Sequence, residues 1–337
     1  MNTRRIGFVL PPPDAFPSGG DLYNQRILQR ARSRGFPLRA VPWGDRDLLA
    51  GAWDLLVWDS LLLDHVRRLA DERVALLLHY LPSLEPALDA GRRAALRAME
   101  HRALAQADRV IATGQPVADA AIASMPSVPV SMCPPGVADA FLRQRPNAPW
   151  GPAQARPAPR LLTVAHLLPA KGHADLLDTL GQLRELAWHW HVVGDGGRSP
   201  GLEQQLRERA ARAGVAARIT WHGALGPEAV ATLMADSDLF VFPSTFEAYG
   251  TVLAEAAAMG LPALANRVGA AEGLVRHGVT GYLVDVADRD GFARHLRRLL
   301  VDAGLRAIFR ENLRKSPVRG WDEAFADFRA ACEIANR

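Results

Sequence analysis

The chain has 337 residues, 49% apolar and 23% charged, which excludes disordered, collagen-like and coiled-coil architectures and, at about 150 residues per domain, indicates two domains. Lysines and arginines number 40 against 36 aspartates and glutamates, and this small excess is spread along the chain rather than gathered into a stripe, so nucleic acid is not an expected partner. Cys133 and Cys332 match no metal or redox spacing and suit a reducing compartment, and the apolar run Ile6 to Leu10 is too short for a signal peptide; a cytoplasmic location is expected.

Short β-branched or leucine-rich runs alternate with amphipathic stretches, the rhythm of βα units that build parallel sheets. Strands are predicted at 5–10, 37–41, 54–58, 73–78, 108–112 and 128–132, with helices clearest at 20–34 and 85–106, so residues 1–145 read as one doubly wound domain. Five prolines then fall within 143–159 with almost no aliphatic side chains, which marks 146–159 as a linker. Alternation restarts with strands near 160–165, 189–193, 218–222, 238–242, 261–264 and 281–284, giving a second doubly wound domain over 160–320. A helical segment follows over 321–337, beginning at Trp321. In open α/β sheets ligands bind beyond the carboxyl ends of the strands. Two such domains are therefore expected to face each other across a cleft lined by the residues that follow each strand.

The stretch 241–265 carries only two charges, Glu247 and Glu255, in largely apolar company. A buried carboxylate without partners costs several kcal/mol or shifts its pKa upward. No basic side chain lies nearby in sequence, so either distant parts of the fold or a ligand must satisfy these two. Tyr249, Gly250 and Thr251 read as a loop turning into a helix that stops at Gly260 and Pro262, with Glu255 one turn inside. Free backbone amides at Gly250, Thr251 and Val252 suit a phosphate, and Gly250 permits close approach. If the span between the glutamates were helical they would stand roughly 12 Å apart. Paired glycosidase carboxylates lie about 5–9.5 Å apart, so a ligand with hydroxyls at both ends and phosphates between fits better than an acid/base couple.

This stretch resembles the donor site of the family-four retaining glycosyltransferases of the GT-B fold, the glycosyl transferases group 1, whose signature is two glutamates separated by seven residues. The resemblance extends to Thr163 to His173, Val192 to Gly197, Trp221 to Leu225 and Gly278 to Val284 in the family's order, and more weakly to Ser18 to Gly20, the strand ending in His79, Ala107 to Ile111 and Pro134 to Val137. It implies an α/β fold of two Rossmann-like domains, with the terminal helix 321–337 crossing back to the first domain, and transfer of a sugar, with retained configuration, from a nucleotide diphosphate sugar as co-substrate. It implies no protein-bound cofactor or metal.

By the same resemblance Glu247 contacts hydroxyls of the donor sugar, Glu255 holds the ribose and Lys171 neutralises the diphosphate. His166 stands where the family usually has an arginine; a histidine is only partly charged at neutral pH. Gly19 and Gly20 match the glycine loop after the first strand, and His79 the histidine that lines the reaction centre, though Tyr80 follows it where the family has aspartate. Leu225 lies in the base-recognition region, and Glu272 falls one position from the family's acidic residue and receives no role. Asp59 reads as a helix cap for the segment from Ser60, with acceptor contact as the second reading.

Rival readings are a sugar-nucleotide epimerase or hydrolase of the same shape and an inactive sugar-nucleotide binding module. A nicotinamide dehydrogenase lacks its Gly-x-Gly-x-x-Gly after the first strand. Asp-x-Asp pairs at Asp45 and Asp47, Asp236 and Asp238, and Asp288 and Asp290 would suit a metal-using glycosyltransferase, but the two-domain rhythm argues against that class. Arg26, Arg30, Arg32 and Arg34 share one helix, read first as a solvated face and second as a peripheral contact with the inner membrane face. Donor base, donor sugar and acceptor, whether glycan, lipid or small molecule, are not encoded in these motifs.

Overall fold

The computed structural model describes residues 4–12, 18–45, 53–69, 71–86, 88–146, 158–247 and 249–333. The apolar runs become strands at all twelve expected places. β1 (Ile6–Leu10), β2 (Leu38–Pro42), β3 (Leu55–Asp59), β4 (Arg73–Leu78), β5 (Arg109–Ala112) and β6 (Val130–Met132) form a parallel sheet ordered β2-β1-β3-β4-β5-β6. β7 (Arg160–Val164), β8 (His189–Val193), β9 (Ile219–Trp221), β10 (Leu239–Phe242), β11 (Ala263–Asn266) and β12 (Gly281–Val284) form another, ordered β12-β11-β10-β7-β8-β9. Central strands such as β3 and β10 are buried at every residue. That is why they read as continuous hydrophobic runs rather than alternating ones, as parallel strands covered on both faces do.

The chain divides into two units, one of Met1–Gly136 with Arg319–Arg337 and one of Val137–Val318. This division precedes the expected 145/146 boundary, because the helix Asp139–Gln144 packs Phe141 into the core of the second unit beside the helix Pro227–Ala235. Most of the expected linker, 147–157, lies outside the described residues. The helix Trp321–Cys332 is part of the first unit's core: Phe328 meets Phe8 at 6.0 Å between ring centroids, and Trp321 stands edge-on to Tyr23 at 5.4 Å. Outside that core, Asp322 accepts ion pairs from Arg30 at 3.0 Å and Arg34 at 3.2 Å, so two members of the arginine-rich face hold this helix.

The expected helix 85–106 is shorter, Ala90–Leu104. Pro86 restricts the residue before it, and the helix starts only where the Asp89 carboxylate accepts from the Arg92 amide at 2.9 Å. Gly19 and Gly20 are not loop glycines; they open the helix Gly19–Ser33, with Ser18 and Asp21 forming a reciprocal capping box before it.

In each sheet the first strand of the unit has neighbours drawn from both directions of the winding, β1 between β2 and β3, and β7 between β8 and β10. These reversals bring the segments after β1 and β3 together in one unit, and those after β7 and β10 in the other. They are the positions at which doubly wound folds hold their ligands.

Candidate functional site

In the second unit the segment after β7 turns through His166 to Leu168 into a short 3-10 turn, Pro169–Lys171, and reverses at Gly172. Gly172 has φ 71°, and a Cβ there would lie 2.0 Å from the Pro243 carbonyl oxygen just beyond β10. Only glycine allows this approach in the left-handed region. The Thr245 amide then donates to the Ala170 carbonyl at 2.8 Å and closes the two segments on each other. The result places Lys171 Nζ 2.5 Å from Glu247 Oε2, with both side chains about one-fifth exposed (19% and 21%). Distant parts of the fold do answer the Glu247 carboxylate, through a lysine 76 residues earlier.

The rest of this loop is held from below. Asn266 at the end of β11 is buried and donates to the carbonyls of Pro243 at 2.9 Å and Ser244 at 3.2 Å. Sequence reasoning did not single it out, although its place at a strand's carboxyl end was a usable signal. Ala248 lies outside the described residues. Gly250 takes φ 88° and starts the helix Thr251–Ala258 with no side-chain cap, so the amides at Thr251 and Val252 have no side chain of the helix start bonded over them. Tyr249 and Glu255 are half-buried, Glu255 within that helix.

His166 follows β7, where its Nδ1 is buried and has no hydrogen-bond partner among the described residues. The glycine segment after β8 lies directly against it: the Leu167 amide donates to the Asp195 carbonyl at 2.8 Å, and a Cβ on Gly194 would meet the Ala165 carbonyl oxygen at 1.8 Å. Leu225, after β9, is exposed. His173, two residues past the lysine, is buried against Trp190, with neither ring nitrogen bonded among the described residues. Burial, and secondarily the Lys171 charge, lowers its pKa to about 4.

In the first unit Gly20 and His79 come together, since a Cβ on Gly20 would stand 3.2 Å from the His79 ring. His79 Nε2 is 2.9 Å from Asn24 Oδ1, and Asn24 Nδ2 donates to Asp59 Oδ2 at 2.6 Å. Asp59 also caps the 3-10 turn Ser60–Leu62 by accepting from the Leu61 amide at 2.8 Å. Burial lowers the His79 pKa from its ordinary value, opposed by the carboxylates of Asp59 and Asp21. Asn24 was missed in the sequence; its signal was a polar residue among Tyr23, Ile27 and Ala31 on the buried face of the helix.

Three members of the aspartate pairs have structural partners among the described residues. Asp236 pairs with the Arg160 guanidinium, Asp238 accepts from the Arg160 amide at 2.8 Å, and Asp288 caps the helix Arg289–Val301. Asp47 lies outside the described residues. Glu272 shares Arg267 with Asp285 at the surface. Among the described residues no helix is long and apolar enough to cross a membrane.

The model of the family "Glycosyl transferases group 1" matches residues 145–316. A D-inositol 3-phosphate glycosyltransferase of Salinispora arenicola is 33% identical over 301 residues, covering 81% of this chain and 67% of that protein. The chain therefore belongs to the glycosyl transferases group 1. Matches to two further D-inositol 3-phosphate glycosyltransferases span 36% of those proteins' length. Among solved structures, sucrose-phosphate synthase from Thermosynechococcus elongatus superposes with a TM-score of 0.81 at 19% identity, over 97% of this chain and 98% of that one. Anabaena Alr3699/HepE in complex with UDP-glucose gives 0.75 at 19% identity, over 98% and 100%. The fold is GT-B, with one Rossmann-like sheet in each unit.

Proposed function

We propose that this protein transfers a sugar from a nucleotide diphosphate sugar to an acceptor with retention of anomeric configuration. The observation that carries the reading is the Lys171–Glu247 pair beside the glycine-started helix Thr251–Ala258. A cation, uncapped helix amides and two carboxylates in one loop system match a ligand with a diphosphate between a sugar and a ribose. In this reading Lys171 leaves Glu247 for the diphosphate, where charge grows as the glycosidic bond breaks, so it stabilises the transition state more than the ground state. Glu247, released, accepts from sugar hydroxyls, and Glu255 accepts from the ribose. Gly250, Thr251 and Val252 offer backbone amides, with Tyr249 and His166 alongside and Leu225 near the base. In the first unit Gly19 and Gly20 are assigned to the diphosphate or sugar, and His79 to the sugar.

The retaining chemistry follows the front-face route: the leaving diphosphate assists removal of the acceptor proton while the acceptor oxygen attacks from the same face. No protein-bound metal or cofactor is invoked. HepE, solved with UDP-glucose, makes UDP the first nucleotide to try.

The test is a thermal-shift panel of UDP, GDP, ADP, TDP and NAD on wild type and Glu255→Ala. A nucleotide at about 100 times its Kd adds about 2.7 kcal/mol of stability. One diphosphate is expected to stabilise wild type and not Glu255→Ala. A shift with NAD alone, or with none, would remove the donor reading. Product configuration by NMR tests retention separately, and an inverted product would exclude the front-face route.

A further inference from the structure

The pair Asn24 and Asp59 forms a directional chain onto His79. Asp59 is almost fully buried, and an ionised carboxylate can only accept. The group that meets its Oδ2 at 2.6 Å must therefore be the Asn24 amide nitrogen, which turns the Asn24 carbonyl oxygen toward His79. That oxygen can also only accept, so the ring nitrogen 2.9 Å away, Nε2, must carry the proton. Asp59 Oδ2 itself lies 3.5 Å from Nε2, beyond the nearer asparagine oxygen. Three further contacts hold the ring and its backbone: Tyr23 stands edge-on at 4.9 Å between centroids, Gly20 packs so close that a Cβ there would stand 3.2 Å from the ring, and the His79 amide donates to Ser60 Oγ at 3.2 Å. Nδ1 has no partner among the described residues.

We infer that Asn24 and Asp59 are positioning residues that lock His79 in the Nε2–H tautomer, so that Nδ1 is presented as a hydrogen-bond acceptor. Resting on the sugar-transfer reading above, the group it selects is a hydroxyl rather than a carbonyl or phosphate oxygen, because only a hydroxyl can donate to a bare imidazole nitrogen. The device differs from a carboxylate bonded directly to histidine. The interposed amide transmits orientation, while burial favours the neutral ring against the nearby Asp59 and Asp21 carboxylates, so that Nε2–H donates to Asn24 and Nδ1 is left as the acceptor.

Long-range proton–nitrogen correlation spectra of nitrogen-15-labelled protein at neutral pH read the tautomer directly, with His79→Gln identifying the His79 signals by their loss. Wild type is expected to show one pyrrole-type nitrogen at Nε2 and one pyridine-type nitrogen at Nδ1. Asp59→Asn keeps an oxygen for the Leu61 cap but lets the residue donate as well as accept, so the Asn24 amide is free to turn over; both His79 nitrogens should then move toward averaged positions. Asn24→Leu should produce the same averaging by a different route. Should either variant fail to fold, the wild-type spectrum still decides. A proton on Nδ1, an even mixture, or an imidazolium in wild type would overturn the inference, as would variants that retain the wild-type pattern. A general structural role would not move the tautomer. No nucleotide enters these spectra, so failure of the donor reading would appear in the thermal-shift panel and not here.

Discussion

The sites of the two units solve the same problem, polar side chains placed beyond the ends of buried strands, in opposite ways. The second unit puts a full positive and a full negative charge against each other, Lys171 and Glu247, on segments brought together by a glycine that tolerates no side chain. The first unit uses a chain of hydrogen bonds, His79 to Asn24 to Asp59, set into the face of a helix and the end of a strand. The ion pair can be opened by an anion that competes for the lysine. The hydrogen-bonded chain has nothing to release and serves by holding its shape.

The largest expected effect separates how the two are supported. Removing 321–337 strips Trp321, Phe325 and Phe328 from the first unit's core. At about 1.5–3 kcal/mol each, they sum to roughly 5–9 kcal/mol, against a typical total of about 5–15 kcal/mol for a protein. Circular-dichroism melts should show loss of the first unit's cooperative transition, and an unchanged melting temperature would break the contrast. Next, Lys171→Ala should lower turnover on the order of 10²–10³-fold, as loss of a transition-state charge contact does. The effect should reside in kcat; a pure KM effect would mean that the lysine binds without assisting bond cleavage.

His173 gives an acid test confined to the second unit. Its pKa is about 4 in the folded protein and about 6.5 when unfolded, so only the unfolded chain takes up a proton between these values. Its contribution is constant above pH 6.5; stability falls as pH drops from 6.5 to 4, by about 3 kcal/mol in all. His173→Leu should flatten that part of a denaturant-midpoint profile, and an unaltered slope would assign the acid loss elsewhere.

The smallest effects compare two glycines. Gly172→Ala drives a Cβ into the rigid Pro243 backbone and forces an L residue into the left-handed region, at about 1–2 kcal/mol before the clash is counted. Gly20→Ala meets only the His79 ring at 3.2 Å, which can yield by a few tenths of an ångström, while alanine gains roughly 0.5–1 kcal/mol of helix preference. Chemical denaturation should therefore penalise Gly172→Ala clearly and leave Gly20→Ala within about 1 kcal/mol of wild type.

Strand positions were legible because parallel strands covered on both faces carry uninterrupted apolar runs, and β3 and β10 are of this kind. The need for a partner at Glu247 was legible too, from a carboxylate in apolar company. Its partner was not, since Lys171 reaches it only through the winding reversal that sets β10 beside β7, and strand order is not written in local periodicity. Asn24 stayed hidden for another reason. Helix periodicity marks a face as buried, but only the approach of Asp59 and His79 from other strands turns a buried asparagine into a link. The early start of the second unit was obscured because Phe141 packs across residues far apart in sequence, while proline content suggested a later boundary.

The passage at Gly136 and Gly320 has a consequence for synthesis. A Cβ on Gly136 would lie 2.3 Å from the Gly320 backbone, so the outgoing and returning strands of the first unit touch, with all of Val137–Val318 inserted between them. On the ribosome the second unit is contiguous and can complete its fold as soon as it emerges, whereas the first must wait, its sheet made but its core open, until the helix Trp321–Cys332 is translated. The first unit's core therefore cannot close before the whole of the second unit has been synthesised, although most of the first unit's residues precede it in the chain.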